Sequence, residues 1–112
     1  MATTYKILGQ VLSSGAIGTE AVVYTVPSTK ASAVISTLSI CNTGATAATF
    51  NIAIRQGGAA LTAKQYFAYG VTVPASSTIN YTNGITLAQG DIVGIYSSSA
   101  LLAAQAFGSE IV

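Results

Sequence analysis

Apolar and polar residues alternate with a period of two along most of this chain. Ala48, Phe50, Ile52 and Ile54 interleave with Thr49, Asn51, Ala53 and Arg55, the pattern of a strand with one buried face and one face that is wetted or docked. The preceding segment, residues 34–41, alternates likewise and runs into Asn42-Thr43-Gly44-Ala45. Those turn-forming residues predict a hairpin between the two segments, with Leu38, Ile40, Phe50, Ile52 and Ile54 in one core. Further strands are predicted at residues 5–12, 21–26, 65–73, 78–81, 91–96 and 101–107. Residues 101–106 also have helical propensity, but the segment is short and uncapped, so the strand reading is preferred. Period two sends Phe67 and Tyr69 to the core and Tyr66 to the opposite face.

Short turn signals separate these segments: Gly57-Gly58, Pro74-Ala75-Ser76-Ser77, Asn83-Gly84, Gln89-Gly90-Asp91 and Ser97-Ser98-Ser99. About eight antiparallel strands so spaced predict an all-β fold, a single-domain β-sandwich of jelly-roll type over residues 1–112. Two segments share a local grammar, Tyr24-Thr25-Val26-Pro27 and Val71-Thr72-Val73-Pro74. A proline cannot donate to a ladder, so each is read as a strand end or edge.

Charge changes the picture more than length does. Only Lys6, Lys30, Arg55, Lys64, Glu20, Asp91 and Glu110 carry a formal charge, 6% of the chain, where about a quarter is usual. A folded monomer of this size exposes roughly 5,700 Å². That leaves about one charge per 800 Å², one partner's share of a standard interface. Much of the surface is therefore expected to lie against other protein. The net charge of +1 supplies no basic stripe, so nucleic acid is not an expected partner.

A lone cysteine, Cys41, rules out an intrachain disulfide and fits a reducing compartment for folding. Gln10, Ser13 and Ser14 interrupt the apolar run after Lys6, so no signal peptide is expected. Tyr96-Ser97-Ser98-Ser99 and Gln105 break residues 92–109 in the same way. No membrane span is expected.

Candidate chemistry is sparse. The chain has no histidine, which removes the commonest general base, metal ligand and pH switch. Three carboxylates far apart in sequence suggest neither an acid–base pair nor a calcium cage, and one cysteine cannot build a zinc site. No serine and lysine share a glycine-flanked elbow. Arg55-Gln56-Gly57-Gly58 lacks the following helix that a phosphate cradle needs. No enzyme activity and no cofactor are expected. Tyr66, Phe67, Tyr69 and Tyr81 form the densest aromatic group; such residues can stack on sugars, but they equally mark protein interfaces.

Residues 24–27, 33–42 and 50–55, with Gly57-Gly58-Ala59-Ala60-Leu61 and the ending Ala106-Phe107-Gly108-Ser109-Glu110-Ile111, resemble small virion structural proteins of tailed bacteriophages, notably those of aquatic and cyanobacterial hosts. The likeness spans most of the chain and contains no catalytic motif. It implies a β-sandwich subunit of head or tail, made in the host cytoplasm and often trimeric. The leading expectation is a capsid decoration, or cement, protein on the outer face of a phage head, with the major capsid protein and further copies of itself as partners. The alternative is a tail or fibre module that binds another tail protein or a host glycan. Interface residues expected on this reading are Tyr5, Lys6, Arg55, Lys64, Tyr66, Ile111 and Val112, with residues 1–6 and 109–112 as docking arms.

Overall fold

The computed structural model describes residues 2–112, which form an antiparallel β-sandwich. Its strands are β1 (Thr3–Leu12), β2 (Ala21–Thr25), β3 (Ser32–Asn42), β4 (Ala48–Arg55), β5 (Tyr66–Val73), β6 (Thr78–Tyr81), β7 (Ile85–Ala88), β8 (Ile92–Ser97) and β9 (Leu102–Ile111). Two single turns of 3-10 helix, Gln56–Gly58 and Ala63–Gln65, sit between β4 and β5. Sheet A runs β1-β9-β3-β6, with β7 also on β3, and sheet B runs β2-β8-β4-β5.

The strands β6 and β7 pair with successive stretches of β3, Leu38 to Cys41 and Ser32 to Ile35. They are two halves of one edge, interrupted at Thr82-Asn83-Gly84. With that edge counted once, the order is that of an eight-stranded jelly roll. First and last strands lie side by side in sheet A, and the second and penultimate strands lie side by side in sheet B. The segment at residues 85–88 was not among the strands expected from sequence, whereas the final segment is a strand, as expected.

The expected hairpin does not form. β3 belongs to sheet A and β4 to sheet B, and Asn42-Thr43-Gly44-Ala45 carries the chain from one sheet to the other. The corner is built around a buried amide. Asn42 Nδ2 donates to the carbonyls of Thr46 (2.8 Å) and Val73 (3.2 Å), and its Oδ1 accepts from Gly44 N–H (2.9 Å). Turn chemistry here bends the chain across the core instead of folding one strand onto the next.

Leu38, Ile40, Phe50 and Ile52 are fully buried between the sheets, as expected, together with Ile35, Val93, Ile95 and Leu102. Ile54 packs at the margin. Each large side chain buried here contributes roughly 1.5–3 kcal/mol. Both valines of the repeated Val-Pro pairs, Val26 and Val73, are also buried. Val73 ends β5 and Val26 directly follows β2, the two edge strands of sheet B, where a missing N–H removes no ladder bond.

The terminal segments expected as docking arms are strands of sheet A instead. Thr3 pairs with Ile111 and Thr4 with Glu110, and Val112 N–H donates to the Ala2 carbonyl at 3.0 Å. The strand-favouring residues Thr3, Thr4, Tyr5 and Ile7 complete the sheet; residue 1 lies outside the described residues. Beyond Ile7 the register slips at Leu8, and β1 presses onto β2. A Cβ at Gly9 would stand 1.8 Å from the Val23 carbonyl oxygen, so only glycine fits that crossing.

Candidate functional site

The two sheets present different outer faces. In sheet A, register rows alternate between core and exterior, with breaks at Leu8 and Ser36. The row Thr4–Glu110–Ala33–Leu87 points inward, and the row Tyr5–Ser109–Val34–Thr86 points outward. Further outward rows include Ile7 with Phe107, Gln10 with Gln105, and Leu12 with Ala103. None of these outward positions bears a charge. Tyr5 is 83% exposed, Ile7 53% and Leu12 57%, and Gln10 Nε2 donates to Gln105 Oε1 at 3.1 Å.

The charged residues of these strands, Lys6 and Glu110, occupy inward rows at the end of the sandwich. Lys6 Nζ lies 2.9 Å from Glu110 Oε1, and Tyr24 donates its hydroxyl to Glu110 Oε2 at 2.5 Å. Bonds from Lys6 and Tyr24 hold the Glu110 carboxyl below its usual range, against the opposing effect of its burial. Burial, reinforced by the Glu110 hydrogen bond and charge, drives the Tyr24 hydroxyl the other way, upward.

Sheet B carries a polar network on its outer face. Glu20 reaches across Gly94 to Arg55, occupying the space where a side chain at 94 would begin; a Cβ there would meet Glu20 Oε2 at 2.1 Å. The pairing is bidentate, Arg55 Nη2 to Oε1 at 2.7 Å and Nε to Oε2 at 3.0 Å, a geometry that matches the guanidinium fork. Tyr96 donates its hydroxyl to Oε2 at 3.1 Å. Burial first, then the Glu20 charge, pushes that hydroxyl up to about 12. Arg55 Nη1 donates to the carbonyls of Gly58 and Ala59, which pins the first 3-10 turn to the sheet.

Two register breaks in β5 decide where its tyrosines point. Phe50 pairs with Val71, Ile52 with Ala68 and Ala53 with Tyr66, so β5 holds extra residues at Tyr69-Gly70 and at Phe67. Gly70 takes φ 64°, and its N–H donates to Asn51 Oδ1 at 2.7 Å. Bulges re-aim side chains, and here they place Tyr69 on the exterior with Tyr66, rings edge to face at 4.8 Å. The expectation that Tyr69 joins Phe67 in the core is thus corrected: Tyr69 is 70% exposed, while Phe67 packs edge to face on Tyr81 at 5.2 Å.

The sequence-derived interface residues fall into separate groups. Tyr5, Ile111 and Val112 come together at the terminal end of sheet A, with Lys6 on the edge strand beside them. Arg55 and Tyr66 belong to the outer face of sheet B, where Arg55 is committed to Glu20 and the adjoining turn. Lys64 stands in the second 3-10 turn, on the rim of an open concavity of about 500 Å³ floored by Ile54 and Phe67. Sequence reasoning missed Ile7, Leu12 and Phe107, whose outward rows follow only from the register. It also missed Glu20, for which no local signal points to Arg55.

The carboxylates are engaged by separate partners. Asp91 accepts from the N–H groups of Gly57 (2.7 Å) and Ala88 (2.9 Å). Among the described residues, no group of three or more acidic or cysteine side chains could hold a metal, and every buried side-chain nitrogen and oxygen has a hydrogen-bond partner. No described helix is long and apolar enough to cross a membrane. No known family matches the chain, and no curated protein does.

Proposed function

We propose that this protein is a structural subunit of a phage virion, a capsid decoration protein that docks the outer face of sheet A on a shell of major capsid subunits. The observation that carries the reading is that face: register rows crossing the whole sheet without a charge. Docking there removes apolar and small polar surface from water without desolvating an ion, so the usual electrostatic opposition is absent. Two of the chain's ion pairs are Lys6–Glu110 and Glu20–Arg55, so the surface is poorer in free charge than the sequence count suggests. The jelly roll also supports the reading at the level of fold, since capsid domains use it, although lectins do too.

Mechanism on this reading is binding energy alone. Contacts made only in the assembled shell stabilise that state by linkage. Particles lacking the protein should assemble but release DNA at lower temperature, and added protein should restore resistance. Addition of Asn80→Lys/Thr86→Glu protein, charged on the outer face of sheet A, should restore nothing. Depleted particles with normal shell stability but defective host adsorption would overturn the proposal.

A second reading is favoured by one specific observation, the exposed Tyr69 packed on a half-buried Tyr66 beside the Glu20–Arg55 network. Aromatic faces next to polar groups suit a glycan, and a tail module would use them so. Loss of adsorption in Tyr69→Ala particles with unchanged shell stability would favour it.

A further inference from the structure

One sheet edge remains open, and its backbone geometry specifies a partner. Val112 N–H donates to the Ala2 carbonyl, one step beyond the Thr3–Ile111 pair and continuing its register. In an antiparallel ladder the hydrogen-bonded positions alternate, so Ala2, Thr4 and Lys6 direct their backbone groups at β9. Thr3, Tyr5 and Ile7 direct theirs away from the sheet. β1 pairs only with β9, and among the described residues no hydrogen bond uses the backbone of Thr3, Tyr5 or Ile7 on that side.

Other edges are blunted in the ways native sheets use. β2 has five residues, breaks register near Val23 and is followed two residues on by Pro27. β5 is bulged, and the β6–β7 edge is split into four-residue pieces. Residues 3–7 are exposed throughout, carry no proline and stay in register up to Ile7. That run is about 17 Å of open edge.

We propose that residues 3–7 pair with the same residues of a second copy, antiparallel about a two-fold axis at Tyr5. The register is self-complementary. Tyr5 exchanges both backbone bonds with its mate, and Thr3 does so with Ile7, which uses every outward donor and acceptor of the segment. On the outer face Tyr5 meets Tyr5 and Ile7 meets Thr3, aromatic and β-branched pairings that suit a ladder. On the inner face Lys6 lies opposite Thr4 and only diagonal to the second Lys6. Each Lys6 is already neutralised by its own Glu110, so like charges do not oppose the approach. Two sheets A then become one continuous sheet with an uncharged outer face of doubled width.

This inference stands on backbone geometry and is independent of the capsid reading. A five-residue ribbon buries less than the ~800 Å² per partner of a standard interface, so the dimer is expected to be weak and transient. Hydrogen exchange on the full chain over a hundredfold concentration range tests it. The Tyr5 and Ile7 amides should slow as concentration rises, while those of Thr4 and Lys6 stay protected throughout. In sedimentation, Tyr5→Pro removes an outward N–H without touching the β9 ladder and should be at least tenfold weaker in self-association. Ile7→Lys, which keeps the backbone intact, should weaken it likewise if the proline variant misfolds. A protein monomeric up to millimolar concentration, a trimer with the Tyr5 amide still exchanging freely, or association undiminished in Ile7→Lys would each overturn the proposal.

Discussion

On sheet B the outer face is organised by Glu20, Arg55 and Tyr96, whose hydrogen bonds fix one another and the adjoining turn. On sheet A the outer face has no such network, only side chains such as Tyr5, Ile7, Gln105 and Thr86 that stand in rows. A polar network on a sheet exterior stabilises the fold in which it sits. An uncharged exterior does little for the isolated fold, and its energetic value appears when something covers it. Substitutions on the two faces should therefore be felt in different measurements.

The largest effect should come from the layer both faces share. Ile52→Asp buries an unpaired charge between the sheets and should abolish cooperative folding; a soluble variant with an unchanged thermal transition would contradict the core assignment. Next, Glu20→Ala leaves the Arg55 guanidinium, 17% exposed, without its carboxylate. The expected loss is about 3 kcal/mol in denaturant unfolding, well above what any single substitution on the outer face of sheet A should cost.

Tyr96→Phe should cost about 1–2 kcal/mol by removing a hydrogen bond to a charged acceptor, and its pH dependence is diagnostic. Folding raises the Tyr96 hydroxyl from the usual ~10 to about 12. The neutral phenol's contribution is therefore complete below pH ~10 and is lost as pH rises through about 12. Part of the wild-type alkaline decline should be missing in Tyr96→Phe. Glu110 acts with the opposite sign: its folded value is lowered, so its contribution is present above the ordinary carboxylate range and disappears as pH falls through the lowered value. Glu110→Gln should flatten the acid limb of the stability profile.

The smallest effect on stability is expected from Thr86→Glu on the outer face of sheet A, within about 0.5 kcal/mol of wild type. On the proposed capsid reading, the same variant should nevertheless lose binding to shells. A stability loss as large as that of Glu20→Ala would show that the face supports the isolated fold, and the contrast between the sheets would fail.

Most strands were legible in the sequence because period two survives wherever one face is buried, as along β3 and β4. What escaped was set by pairings remote in sequence. Nothing near residues 42–45 distinguishes a hairpin from a corner between sheets, because the deciding contact is Asn42 with Val73, from a strand of the other sheet. β7 was missed because Thr82-Asn83-Gly84 reads as a turn, although the chain resumes the same edge of β3 after it. Tyr69 was misplaced because bulges in β5 change the face that simple alternation assigns. The outer face of sheet A was legible only as missing charge; its extent required the register of β1 on β9 and of β9 on β3.

The Glu20 side chain lying over Gly94 also constrains how this sequence can change. With Glu20 in place, Gly94→Ala drives a methyl into a carboxylate already held by Arg55 and Tyr96. After Glu20→Ala the three nearest contacts of that methyl are gone, and the same alanine should be better tolerated. The two positions are therefore coupled: a side chain at 94 and the present geometry of the Glu20–Arg55 pair exclude each other, so filling position 94 costs the anchor that holds Arg55.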